Sequence, residues 1–236
     1  MKPHPSLVIL TGAGISAESG IKTFRAGDGL WESHKIEDVA TPEGFRRNPK
    51  LVQHFYNGRR KQLRDVAPNA AHIALAELER AWPGPFLLVT QNVDDLHERA
   101  GSILIHHMHG ELLKARCTSC ENVSYWEADV LPDSLCPSCG AIGRLRPHIV
   151  WFGEVPFGLQ KIDIALQDCD YFAVIGTSSQ VFPAAGFVQC VGLDCHTIEI
   201  NLEPSLMSGA FREICTGPAT QTVPAWAQEM LLRHGH

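Results

Sequence analysis

A parallel α/β sheet with a smaller helical and cysteine-rich unit inserted into it is the fold class this sequence predicts, on three observations. Short apolar runs end in small or polar loop residues, helical periodicity lies between them, and four cysteines fall in two close pairs within a stretch of low apolar content. With 236 residues, 44% of them hydrophobic, the chain can build one large domain or one large and one small. A net charge of −6 without a long basic run argues against a specific nucleic-acid surface, although Arg59-Arg60-Lys61 could still meet an anion. No apolar stretch approaches 18 residues, and Met1-Lys2-Pro3-His4-Pro5-Ser6 leads straight into a strand, so a cytoplasmic protein without a membrane partner is expected.

The first strand is Leu7-Val8-Ile9-Leu10, and it runs into Thr11-Gly12-Ala13-Gly14-Ile15-Ser16-Ala17-Glu18-Ser19-Gly20. The pattern G-x-G-x-x-A after a strand is a form of the dinucleotide fingerprint: Gly12 for a tight turn, Gly14 for close approach of backbone to a pyrophosphate, Ala17 for close helix–strand contact. Alone, it leaves open a small-residue turn that only packs. A helix is predicted from Asn69, with Ala74, Leu78, Ala81 and Trp82 on one face, and then a second buried strand at Phe86-Leu87-Leu88-Val89-Thr90. Two more apolar runs, Tyr171 to Ile175 and Thr197 to Ile200, end at Gly176-Thr177-Ser178 and Asn201. Such an order gives a Rossmann-like sheet whose ligand sits at the carboxyl ends of the strands. The large domain is placed at about 1–31, 81–115 and 147–236. The small one takes the helical segment 32–80 and the ribbon 116–146.

Cys117-x2-Cys120 and Cys136-x2-Cys139 are separated by fifteen residues, the spacing of a four-thiolate zinc ribbon. Four sulfurs leave no position for water, so the ion would be structural; disulfides are the competing reading. Cys169, Cys190, Cys195 and Cys215 lack such spacing and read as buried thiols. After the second strand come Gln91-Asn92-Val93-Asp94, which by themselves could be no more than a helix cap, and then His106-His107-Met108-His109-Gly110. On a strand His107 and His109 would share a face. No nearby spacing of carboxylate and histidine completes a metal site there.

These residues, taken in order, resemble the sirtuins, the NAD-dependent protein-lysine deacylases, over nearly the whole chain. The matching motifs are Gly12-Ala13-Gly14-Ile15-Ser16 with Ser19-Gly20-Ile21 and Phe24-Arg25, then Gln91-Asn92-Val93-Asp94, His109-Gly110, both cysteine pairs, Val150-Trp151-Phe152-Gly153-Glu154, Gly176-Thr177-Ser178 and Asn201. Lys22-Thr23 stands where the commonest family form has Pro-Asp, and this resembles the bacterial and mitochondrial branch active on acidic acyl groups. Hydride transfer fits less well, because no apolar strand ending in an acidic residue follows the glycine turn by about twenty positions.

The resemblance implies NAD as co-substrate, one structural zinc, and acylated-lysine proteins as partners. It implies that Gly12, Ala13, Gly14, Ile15 and Ser16 hold the pyrophosphate, with Phe24 and Arg25 on the loop over NAD. Gln91, Asn92 and Asp94 would orient the nicotinamide ribose and carboxamide, and Gly176, Thr177, Ser178, Asn201, Leu202, Glu203 and Ala219 would line the adenosine end. His109 would be the general base, acting with Asn92 and Asp94. Val150, Trp151, Phe152, Gly153 and Glu154 would pair their backbone with the substrate chain, the alternative being a buried strand. Tyr56 and Arg59, three residues apart on a helix predicted from about Pro49 to Leu63, would read the carboxylate of succinyl- or malonyl-lysine, with Ala26-Gly27 leaving room; otherwise Tyr56 is core and Arg59 a surface charge. The rival activities are an ADP-ribosyltransferase or NAD glycohydrolase, and a non-enzymatic zinc-ribbon adaptor that binds NAD. The sequence leaves the oligomeric state open, a monomer included.

Overall fold

The computed structural model describes residues 4–22, 30–31 and 34–235. In chain order its elements begin with β1 (Leu7–Thr11), α1 (Gly14–Ala17), β2 (Leu30–Trp31), β3 (His34–Lys35), α2 (Ile36–Val39), α3 (Pro42–Arg47), α4 (Pro49–Gln62) and α5 (Ala70–Ala81). They continue with β4 (Phe86–Thr90), α6 (Leu96–Ala100), β5 (Ile105–His107), β6 (Gly110–Cys117), β7 (Val123–Tyr125) and β8 (Leu145–Ile149). The last are α7 (Leu159–Asp168), β9 (Tyr171–Ile175), β10 (His196–Asn201), β11 (Glu213–Thr216) and α8 (Ala219–His234).

A parallel six-stranded sheet in the order β11-β10-β9-β1-β4-β5 forms the centre. The central strands are apolar throughout because helices cover both faces, which is why they read as continuous runs and not as alternating ones. One core layer joins Leu7, Ile9, Leu88 and Ile198 to α5 and α8; the other joins Val8, Leu10, Val89 and Phe172 to α7. After β1 the chain proceeds first to β4 and β5, then returns to β9 on the other side, so the order reverses at β1. Thr11 is level with both Thr90 and Ile175, and the loops after β1, β4 and β9 therefore open at one edge, where such sheets bind ligands.

The small unit differs from its predicted limits. The helix at 70–81, assigned from the sequence to the small unit, packs instead on the sheet, with Ala71, Ala74, Leu75 and Leu78 buried beside Leu7 and Ile9. Ala81 is exposed, and Trp82 takes the end of that face. The smaller core is built from α4 and neighbouring segments, where Val52, Phe55 and Tyr56 meet Leu112, Ile149 and Trp151. α4 starts on Asn48, whose side chain accepts from Leu51 N–H, with Pro49 at a position that needs no donor. Beyond it, β7, β6 and β8 form an antiparallel sheet that carries the cysteines. No helix among the described residues is long and apolar enough to cross a membrane.

Candidate active site

The loop after β1 and the loop after β9 lie backbone against backbone. Gly12 N–H donates to Ile175 O at 2.9 Å and Gly14 N–H to Gly176 O at 2.7 Å. A Cβ on Gly14 would stand 2.7 Å from Gly176 Cα, and one on Gly12 would stand 2.8 Å from Gly176 O. These glycines are thus needed for loop-on-loop contact. Ala17 is exposed and makes no close helix–strand contact, while Ile15 and Ser16 are the buried residues of the single-turn α1.

Ser16 joins the two sets of polar residues. Its hydroxyl donates to Asp94 Oδ2 at 3.1 Å and accepts from Asn92 Nδ2 at 3.1 Å, and His72 Nε2 lies at 3.4 Å. With these three contacts the Ser16 side chain anchors Asn92 and Asp94. Asn92 also donates to Gly12 O at 3.1 Å. Burial raises the Asp94 carboxyl above the ordinary aspartate range, although Leu96 N–H and Ser16 donate to it.

His109 stands in the turn between β5 and β6, so it does not share a strand with His107 as the sequence suggested. Its Nδ1 faces Gln91 O at 3.2 Å. A carbonyl only accepts, so Nδ1 carries the proton and Nε2 keeps its lone pair, the tautomer a general base needs. Burial lowers its pKa below the usual 6.5.

Residues from the other half of the sheet reach the same edge. Gln91 Nε2 donates to Thr177 Oγ1 at 3.3 Å, and Asn201 Nδ2 donates to Thr177 O at 2.9 Å and Glu199 Oε1 at 3.1 Å. Gly176 has φ +66°, and a Cβ there would meet Ile15 N at 2.4 Å. Ser178, Leu202 and Glu203 are exposed at the ends of β9 and β10, and Ala219 opens α8 beside them. Phe24 and Arg25, with Ala26 and Gly27, lie outside the described residues.

Tyr56 and Arg59, the pair expected to read the acyl group, lie deeper than a surface site. Tyr56 is fully buried and its hydroxyl accepts from Trp151 Nε1 at 2.9 Å; Arg59 is buried as well, which excludes a solvated surface charge. Burial pushes the Tyr56 phenol well above 10, so it stays protonated. The neighbouring Arg60, offered by the sequence as part of an anion-binding spot, is committed inside the protein, with Nε donating to Leu112 O at 2.9 Å and one Nη to Asn57 Oδ1 at 2.8 Å. Lys61 pairs with Asp129 at 2.9 Å.

Residues 150–154 form a turn and not an open strand edge. Val150 N–H donates to His109 O, Phe152 N–H to Ala40 O and Glu154 N–H to Trp151 O, each at 2.9 Å, while Trp151 N–H donates to Glu154 Oε2 at 2.9 Å. The N–H groups expected to pair with a substrate are therefore already used at these four residues. Trp151 is core, with the Arg146 guanidinium 3.4 Å above its ring, and Arg146 grips Glu154 at 2.7 and 2.9 Å. Only Phe152 and Gly153 of this segment are exposed.

The four cysteines converge. Cys117 and Cys139 sulfurs are 3.8 Å apart and Cys120 and Cys136 sulfurs 3.7 Å, all within 4.8 Å of one another. Four thiolates about 2.3 Å from one tetrahedral ion stand about 3.8 Å apart, so the donors fit zinc. Each knuckle closes alike, with Glu121 N–H donating to Cys117 O at 3.0 Å and Gly140 N–H to Cys136 O at 2.9 Å, and Glu121 and Gly140 both at positive φ. Of the remaining thiols Cys169 and Cys195 are buried, but Cys190 is exposed and Cys215 only partly covered.

A sequence profile of the Sir2 family matches residues 12–183. The chain belongs to the Sir2 family. An NAD-dependent protein deacylase of Pasteurella multocida (strain Pm70) is 58% identical over 98% of this chain and 100% of its own length. That of Salmonella typhimurium (strain LT2) is 57% identical over 98% of this chain and 86% of its own. Among solved structures, a Sir2 homologue in complex with NAD superposes with a TM-score of 0.87 at 39% identity, covering 97% of this chain and 90% of that one. A Sir2 complex with a p53 peptide and NAD gives 0.76 at 27% identity, covering 97% and 92%.

Sequence reasoning missed three groups in this Sir2 family site. His72 and His97 are buried behind it, with rings 4.9 Å apart, and His97 Nε2 lies 3.0 Å from Thr11 Oγ1. Burial lowers His72 to about 4 and His97 well below 6.5. Glu199 is buried under Asn201 and accepts from Ser205 N–H and the Ser208 hydroxyl. Glu98, His107 and Glu111 come together within 4.8 Å from α6, β5 and β6, a grouping that their spacing in the chain does not disclose.

Proposed function

We propose that this chain is an NAD-dependent protein-lysine deacylase that transfers the acyl group to ADP-ribose and frees lysine and nicotinamide. The observation that carries the reading is the meeting, at one sheet edge, of buried Asn92 and Asp94 with His109, whose Nε2 is left proton-free. Membership of the Sir2 family and relatives named NAD-dependent protein deacylases support it.

Breaking the nicotinamide–ribose bond builds positive charge on the ribose, and the demand on the protein is position and electrostatics more than a protein nucleophile. Asn92, fixed by Ser16 and Gly12, orients the nicotinamide ribose and carboxamide with Asp94. The acyl oxygen displaces nicotinamide, forming the oxygen–ribose bond as the ribose–nitrogen bond breaks. His109 Nε2 then takes a proton from a ribose hydroxyl, and that oxygen attacks the acyl carbon; the lysine nitrogen leaves as its bond to that carbon breaks, and water opens the bridged adduct to O-acyl-ADP-ribose. Gln91 holds the ribose, and the 176–178 and 201–203 loops with Ala219 take the adenosine end. The exposed Phe152-Gly153 turn is left to meet the acyl-lysine protein. Zinc held by Cys117, Cys120, Cys136 and Cys139 ties down the small unit and has no open position for chemistry.

The finer reading is activity on succinyl- and malonyl-lysine, in a cytoplasmic enzyme. A guanidinium and a phenol held protonated, one helical turn apart on α4, suit a carboxylate that acetyl-lysine lacks. Incubation with NAD and acetyl-, succinyl- and malonyl-lysine peptides, with products identified by mass, tests both levels. Nicotinamide release that does not depend on an acyl peptide would assign the protein to NAD hydrolysis or ADP-ribosyl transfer instead.

A further inference from the structure

Two histidines two residues apart are tied to two successive carbonyls of one loop. His109 Nδ1 faces Gln91 O, and His107 Nδ1 faces Asn92 O at 3.1 Å. Each carbonyl only accepts, so each Nδ1 carries a proton. At His109 the second nitrogen stays free for chemistry. At His107 it does not, because Nε2 lies 2.5 Å from Glu98 Oε1. A ring with an acceptor at both nitrogens holds both protons, and the His107 side chain is only 8% exposed, so the imidazolium is itself largely withdrawn from water although Glu98 is partly exposed.

The groups around this ring favour that state. Glu98 and His97 face it from α6, Asp94 from the loop after β4, and Glu111 from β6, where Glu111 is itself paired with Lys114 at 2.5 Å. Burial works against the imidazolium, but the Glu98 hydrogen bond and charge, with Glu111 and Asn92 O, outweigh it and raise the His107 pKa above 6.5. The same pairing lowers Glu98 against the effect of its own burial. A divalent cation in this cluster is the competing occupant, and the short Nε2–Oε1 contact, which needs a proton between the atoms, disfavours it.

Resting on the deacylase reading, we propose that His107 is a positioning residue: clamped as an imidazolium between Glu98 and the Asn92 carbonyl, it sets the peptide that aims the Asn92 side chain at the nicotinamide ribose. Asn92 is held from three directions, with its own N–H donating to Thr90 Oγ1 at 3.0 Å and its amide on Gly12 and Ser16. The His107 contact on its carbonyl is a fourth, and it is the one whose own donor loses a proton as the pH rises. When the ring loses a proton it can serve only one of its two acceptors; the ionised Glu98 carboxylate keeps the Nε2 proton, so Nδ1 turns a lone pair on Asn92 O and the clamp on Asn92 opens. Turnover therefore falls on the alkaline side with the titration of His107.

The test is kcat against pH from 6 to 10 on an acetyl-lysine peptide at saturating NAD, for the native protein, Glu98→Gln and His107→Gln. The native enzyme should show an alkaline fall with its midpoint above 6.5, and Glu98→Gln should move that midpoint down by about one unit or more. His107→Gln should abolish the fall and lower kcat roughly 10-fold near pH 7, with the Kd for NAD changed less than about 3-fold. A midpoint unmoved by Glu98→Gln, or a kcat lowered equally at every pH, would overturn the proposal. So would stimulation of the native protein by added Mn²⁺ that is lost in Glu98→Gln, which would give the cluster to a cation. Glu98 is partly exposed, so its variant keeps the test decisive if His107→Gln fails to fold. Absence of acyl-dependent nicotinamide release in the native protein would instead be a failure of the deacylase reading itself.

Discussion

Gly14→Ala separates a glycine required by the fold from one required by a cofactor. The added Cβ would lie 2.7 Å from both Gly176 Cα and Gly176 O, whereas ordinary contact begins at 3.4 Å, so two backbone segments must part by about 0.7 Å. Neither segment ends in a flexible side chain that could yield. Overpacking of this kind costs about 1–3 kcal/mol. The displaced pair includes the Gly14 N–H to Gly176 O bond, whose loss adds about 1 kcal/mol. A total of about 2–4 kcal/mol lowers Tm by roughly 4–16 °C in a chain of this size. The assay is thermal unfolding without NAD, beside the same measurement on Gly58→Ala. Gly58 lies exposed inside α4 with nothing within 4 Å of an added Cβ, and alanine there should raise stability by about 0.5–1 kcal/mol. If Gly14→Ala melts within about 1 °C of the native protein while losing NAD affinity, the glycine serves the cofactor alone and the packing account fails.

Three further outcomes follow from the site. His109→Tyr should lower turnover by about 10²-fold or more while NAD still binds, and because burial depresses the native His109 pKa, the acid limb of kcat/KM should fall below pH 6.5, where the base becomes protonated. An unchanged rate in the variant would remove His109 as the base. Cys136→Ser should lose zinc and unfold the small unit, and metal analysis of the native protein showing under about half an equivalent, with stability indifferent to chelators, would count against the site. Arg59→Met should reduce desuccinylation efficiency about 10- to 150-fold, from a charged hydrogen bond worth about 1.5–3 kcal/mol, and leave deacetylation nearly unchanged. Equal loss of both activities would make Arg59 a structural residue of α4.

The strands that the sequence disclosed are those buried on both faces. β1, β4, β9 and β10 are apolar runs, and their ends mark the polar loops that converge. β11 was not legible, since Glu213, Ile214 and Thr216 are exposed on a sheet edge. β8 reads Leu-Arg-Pro-His-Ile, which looks like a loop until Glu154 and the Trp151 ring are seen to cover Arg146. Of the site, the residue types were legible but the contacts that hold them in place were not. The Val150 to Glu154 motif was recognisable as a string, yet nothing in the string says that its amides are already hydrogen-bonded, because their acceptors at Ala40 and His109 are distant in sequence.

The placement of α5 shows how one misassigned element hides chemistry. Its apolar face announces a helix that packs on something, but periodicity does not say on which core. Once α5 lies on the large sheet, its first turn comes against the loop after β1, and Asn69 reaches Ile15 O at 2.8 Å and Ser19 Oγ at 3.0 Å. Asn69 N–H donates to His72 Nδ1 at 3.3 Å. That assigns the ring proton of His72, kept neutral by burial, to Nε2, which therefore donates to Ser16 Oγ. Ser16 in turn has its own proton to give only to Asp94, while its second lone pair takes Asn92 Nδ2. The direction of every proton from the helix cap to the buried carboxyl is fixed by this sequence of donors. A helix placed in the small unit would leave Ser16 without its third partner and Asp94 with a donor free to turn away, so the geometry at Asn92 and Asp94 depends on the packing of α5 through Ser16.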